Sequence, residues 1–161
     1  MTDFLTSIEQ LGLSTWIREG GDIYGYALIL FMHTIGLGLV AGVTFMLNLR
    51  LLGYTTMPLK PLTKLYPVIW YGFYLNLLTG VLLIMADANT KLNNWDFWVK
   101  MVLIAIGLVI QTRIQKKMLA EPGDAVPAGI QGLAWLSLFC WFGTILAGRL
   151  LAYVGPVAGL A

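Results

Sequence analysis

Three side chains carry a titrating or cationic group inside otherwise apolar runs: His33 in ILFMHTIGLGLVAGV, Lys100 in WDFWVKMVLIAIG and Arg149 in ILAGRLLAY. His33 is the only histidine in the chain. A Lys or Arg at the middle of a bilayer costs roughly 2.5 to 3.5 kcal/mol, so such groups face a bundle interior or a partner. At about 1.5 Å per residue, His33 falls roughly 13 to 15 Å in from the start of the first apolar run. Lys100, entering the third run, and Arg149, leaving the fourth, each fall about 7 Å below that same face.

An imidazole at mid-depth with two cations above it suits haem b: the imidazole would hold the iron and the cations would neutralise the two propionates. The helix faces agree. Tyr26, Ile29, Gly36, Leu37 and Val40 share the face of His33, so Gly36 would let a flat macrocycle approach the backbone, and Gly107 shares the face of Lys100 in the same way. One histidine excludes bis-histidine ligation within one chain, so the iron would be five-coordinate or would take Met85, Met101, Lys100 or water as its sixth ligand. The plainer readings stand beside this one. His33 would bond a polar neighbour such as Asn76 and join two helices, and Lys100 and Arg149 would reach up to headgroups.

The elements that must position these groups are membrane spans. The 161 residues are 58% hydrophobic and only 11% charged, with mean hydropathy +0.79; soluble domains carry about a quarter charged residues. That length supplies about four spans of roughly 20 residues in one domain and leaves no room for a soluble catalytic one. Spans are expected at about 23–47, 68–86, 97–115 and 130–154; REGGD breaks the chain before the first, MPLKPLTKLYP precedes the second and DANTKLNNWD follows it. Phe4, Ile8, Leu11 and Trp16 recur at helical spacing, as in an N-terminal amphipathic helix lying in the interface. The fold expected is all-α: an integral membrane four-helix bundle with that interfacial helix, residues 1–161 forming one domain.

Arg50, Lys60, Lys64, Arg113, Lys116 and Lys117 fall on one side of the spans, against Arg18 and Lys91 on the other. The positive-inside rule then places both termini on the periplasmic side of a bacterial inner membrane. Trp16, Tyr24, Trp95, Trp98 and Tyr153 would form one interfacial belt, Tyr66 and Trp70 the other. Net charge is +2 with no basic aromatic patch, so nucleic acid is excluded as a partner. One cysteine, Cys140, excludes an internal disulfide. Gly38 and Gly42 form a small-residue motif that packs helices within the bundle or between protomers.

The segments HTIGLGLVAGVTFMLNLRLLG, WYGFYLNLLTGVLLIMADA, WDFWVKMVLIAIGL and GRLLAYVGP together resemble a bacterial family of small four-span membrane proteins. That family is marked by a first-span His, an Asp-Leu-Arg-Leu-Leu-Gly segment, a lysine opening the third span and a terminal Gly-Arg followed by Ala-Tyr. Asn48 stands where the pattern has aspartate, which removes an acidic partner for Arg50. His33, Ala41, Gly42, Arg50 and Lys100 carry a more distant similarity to membrane-bound protoporphyrinogen oxidase, and copper-resistance D-type domains are similar at the same distance. The first similarity implies a b-type haem or porphyrin site.

The functional expectation is therefore haem b or porphyrin binding, with His33 as metal ligand and Gly36, Lys100, Gly107 and Arg149 around the cofactor. The process would be electron transfer with a redox partner, or porphyrin oxidation by an oxidoreductase. The alternative is a cofactor-free accessory subunit of a larger membrane complex. A small-solute or ion transporter fits less well, because no span carries a carboxylate and no paired broken helices are visible.

Overall fold

The computed structural model describes residues 2–19, 25–120, 123 and 125–150; of residues 2–5 and 19 only the backbone is described. Every element among them is helical. Four helices are long and apolar enough to cross a membrane: α3 (Tyr26–Leu51), α5 (Tyr66–Ala86), α7 (Trp95–Ala120) and α8 (Gln131–Leu150). The chain is an all-α membrane protein built as a four-helix bundle, as its composition required. Four short helices complete it: α1 (Thr2–Glu9), α2 (Gly12–Glu19), α4 (Leu59–Thr63) and α6 (Ala88–Leu92).

Local chemistry sets the helix ends. α3 runs past the expected residue 47 because nothing in LNLRL breaks it, and it stops where Gly53 takes φ +86°. Tyr54 N–H then donates to Leu49 O (3.0 Å) and Gly53 N–H to Arg50 O (3.1 Å), the six-to-one and five-to-two bonds that satisfy terminal carbonyls. α5 opens with Pro67 in its first turn, where a missing N–H leaves no bond unmade. Two segments expected to be loops instead fold: MPLKPLTKLYP contains α4, and DANTKLNNWD contains α6. The expected span ends at 23–24 and 151–154, with Tyr24 and Tyr153, lie outside the described residues.

The N-terminal segment is two helices rather than one. Ser14 Oγ donates to Ile8 O (2.8 Å), fastening α2 back onto α1. The buried face of α2 is Ser14 and Ile17, while Leu11 and Trp16, expected on the apolar face, are exposed. α2 packs on α5, and α1 packs on α6. There the Glu9 carboxylate accepts from the backbone N–H of Asn89 (2.7 Å) and from its Nδ2 (3.1 Å).

The bundle consists of two hairpins, α3 with α5 and α7 with α8, joined mainly where α3 packs on α8; α5 and α7 approach each other far less closely. Its densest apolar core lies toward the end that carries Arg50 and Lys60, around Leu47, Leu51, Leu59, Ile69, Ile114 and Ile130. Trp95 and Trp98 are exposed at the opposite, N-terminal end, as an interfacial belt requires. Tyr66 departs from the expected belt: it is buried in the core.

Candidate functional site

His33 lies seven residues inside the start of α3 and Lys100 five inside α7, about 10 Å and 7.5 Å from the N-terminal end.

The imidazole is held by α5. Its Nδ1 lies 2.9 Å from Thr79 Oγ1, whose own hydrogen goes to Leu75 O (2.7 Å). A hydroxyl that has already donated can only accept, so the network assigns the proton to Nδ1 and leaves the lone pair on Nε2. The ring lies over Gly80, where a Cβ would stand in ordinary contact with it, 3.4 Å from Cε1. Asn76, oriented by its hydrogen bonds, donates from its amide nitrogen to His33 O (2.8 Å) and accepts from Leu37 N–H (2.6 Å). It clamps one turn of α3. The same nitrogen lies 3.1 Å from Nδ1 and 3.3 Å from Nε2, close to both without being the dedicated partner of either.

Two lysines lie within electrostatic reach of this imidazole: Lys100, and Lys91 on α6. The Lys100 side chain lies along Gly148 of α8, which leaves its Nζ 3.5 Å from where a Cβ would stand. Lys91 folds back onto the end of α5, donating from Nζ to Leu83 O (2.5 Å) and standing 5.6 Å from the centre of the Tyr26 ring. Burial pulls the Lys91 ammonium below the usual lysine range; nearby Asp87 opposes that shift and Lys100 reinforces it. Asp87 therefore acts on Lys91 as well. Arg149 follows Gly148 on α8 and is exposed. Lys91, in a segment expected to be a loop, is thus a second cation beside Lys100 whose charge bears on His33.

The two glycine faces are not open. A Cβ on Gly36 would meet Gly72 O at 2.9 Å and Asn76 N at 3.1 Å, and a Cβ on Gly72 would meet Gly36 O at 2.9 Å. Gly36 marks the point where α3 and α5 cross backbone to backbone, so the space expected for a macrocycle is filled by α5. Gly107 is likewise covered, by the Trp141 indole, with Cε2 3.4 Å from the Cβ position. Conversely, Gly38 and Gly42 have nothing within 4 Å, so they do not pack within the bundle. Periodicity alone could place these glycines on faces; it could not say which neighbour each face meets.

Other named residues are placed as follows. Met101 is exposed and Met85 half-buried. Arg50 donates from Nε to Met57 O. Asn48 turns inward: fully buried, it donates from Nδ2 to Ser137 Oγ on α8 (2.9 Å), a pairing open to an amide at that position. A groove of about 420 Å³ on the α3–α8 face is lined by Phe45, Leu49, Trp135, Leu138, Phe139 and Phe142. It offers neither a metal ligand nor a cation for a carboxylate. Among the described residues no three His, Cys, Asp or Glu side chains gather as a metal cluster. Comparison with family models, with curated proteins and with solved structures finds no match to this chain.

The donor chemistry around His33 fits a haem: one neutral imidazole with a fixed tautomer, and two ammonium groups nearby to meet carboxylates. The fit does not extend to Gly36 or Gly107.

Proposed function

We propose that this chain is a bacterial inner-membrane protein, termini on the periplasmic side, that binds haem b or a related porphyrin and serves electron transfer or porphyrin oxidation. The observation that carries this reading is the His33–Thr79 hydrogen bond. A histidine that ligates iron almost always donates its other ring N–H to a fixed acceptor, which sets the tautomer and raises the basicity of the ligating nitrogen. Thr79 does this for Nδ1. Lys100 and Lys91 are the propionate partners, and Arg149 serves from the end of α8. A bound haem would supply one-electron chemistry; the chain's share is the imidazole ligand, the counter-charges and exclusion of water.

The test is titration of the purified protein in micelles with haemin. Wild type should give a saturable Soret shift at one equivalent, lost in His33→Ala and weakened in Lys100→Met. Equal shifts in wild type and His33→Ala would overturn the reading.

A second reading, a cofactor-free accessory subunit, is favoured by one observation. Gly38 and Gly42 leave a small-residue strip of α3 uncovered within the bundle, the kind of surface on which a helix of another protomer or subunit packs. It would be marked by a colourless protein that co-purifies in fixed ratio with a larger complex.

A further inference from the structure

Where α3 meets the α7–α8 hairpin, six polar side chains are almost completely buried: Thr44 and Asn48 on α3, Gln111 on α7, and Ser137, Trp141 and Thr144 on α8, none more than 3% exposed. Asn48 and Ser137 bond each other. The remaining polar atoms have no partner among the protein's own groups: Thr44 Oγ1, Asn48 Oδ1, both amide atoms of Gln111, Trp141 Nε1 and Thr144 Oγ1. Buried polar groups in folded proteins are nearly always hydrogen-bonded, and most of all where no bulk water can reach them.

These groups are neighbours in register. Trp141 lies against Gly107, Leu103 against Gly143 and Lys100 against Gly148, which fixes α7 and α8 as antiparallel partners. Four residues on along α7 and four back along α8 bring Gln111 level with Ser137, and therefore with Asn48. Thr44 stands one turn from Asn48 on the side toward Trp141, and Thr144 continues that line. The polar layer spans seven residues of α8, about 10 Å. Buried Ile114, Leu51 and Ile130 close it toward the basic end. At its other end Gly148, four residues past Thr144, carries the Lys100 amine.

The orphaned atoms are of both kinds. Gln111 Nε2 and Trp141 Nε1 donate, Asn48 Oδ1 and Gln111 Oε1 accept, and the two threonine hydroxyls do either. None is charged. A cation would face N–H groups and an anion would face carbonyl oxygens; a small neutral molecule that donates and accepts suits all six. We infer that internal water molecules occupy this layer and join α3 to the α7–α8 hairpin through hydrogen bonds to Thr44, Asn48, Gln111, Trp141 and Thr144. The site is separate from the haem reading and stands without it.

X-ray radiolysis of the full-length protein in lipid nanodiscs, in water enriched in oxygen-18, tests this, because bound water generates hydroxyl radicals in place and labels the side chains beside it. Trp141, although 3% exposed, should take up label. Thr144→Val combined with Gln111→Leu should cut that uptake at least fivefold while Trp95 labelling stays constant. Should the pair impair folding, Thr44→Val alone should give a smaller loss. An unlabelled Trp141 in wild type, or labelling that the variants leave unchanged, would overturn the proposal.

Discussion

Gly36→Ala should destabilise the bundle, and Gly38→Ala, two residues away, should not. The added methyl at Gly36 meets Gly72 O at 2.9 Å and Asn76 N at 3.1 Å, both backbone atoms of α5 that no rotamer change can move. Ordinary contact begins near 3.4 Å, so the two helices must separate by about 0.5 Å at their crossing. Overpacking of this kind costs about 1–3 kcal/mol, against which alanine's helix preference returns up to about 1 kcal/mol. The net loss is then between about zero and 3 kcal/mol, with a centre near 1.5 kcal/mol, roughly a twelve-fold fall in the folded-to-unfolded ratio. At Gly38 the methyl meets nothing within 4 Å, leaving only the helix preference, between zero and about 1 kcal/mol of added stability. Unfolding by sodium dodecyl sulfate in mixed micelles, followed by tryptophan fluorescence, measures both. If Gly36→Ala unfolds at the same detergent fraction as Gly38→Ala, the α3–α5 crossing described above is wrong.

Three other outcomes follow from the same geometry. Ser137→Ala removes the partner of buried Asn48 Nδ2 and should cost about 1–3 kcal/mol in the same unfolding assay, while Ser137→Thr should recover part of the loss. Because His33 is the only histidine, nitrogen-15 histidine labelling gives one pair of ring resonances; wild type should show a single tautomer protonated at Nδ1, and Thr79→Val a mixture. The two bonds from Asn89 hold the Glu9 carboxyl below its ordinary 4.5. Its contribution is therefore complete above pH 4.5 and is lost as pH falls through the lower folded value; at this half-buried, solvent-screened site it amounts to less than about 1 kcal/mol. Exchange of the Asn89 amide, corrected for intrinsic rate, should speed up in that acid window in wild type and show no such step in Glu9→Gln.

Much of the architecture was legible because the bilayer leaves few choices. Backbone groups in lipid must bond within helices, so long apolar runs separated by proline, glycine and charge read directly as spans. What a helix face meets was not legible. Gly36 and Gly107 share faces with His33 and Lys100 as periodicity required, yet α5 and Trp141 occupy the space beside them. Lys91 looked like a loop residue because α6 is too short to show a period, and only its folding back against Leu83 carries its amine onto the end of α5. Thr44, Asn48, Gln111, Ser137 and Thr144 are individually unremarkable polar residues in apolar helices, and their meeting depends on the register between helices distant in sequence. Asn76 does neighbour His33, although its main contact is with the α3 backbone rather than the ring.

The haem reading is tested most directly by the visible spectrum of the protein purified from haem-replete bacterial membranes, with pyridine extraction to count haem per chain. The account predicts a Soret band at about one haem per chain in wild type, and its loss in a His33→Ala variant that still folds. A wild-type protein that is folded, pure and colourless would contradict it.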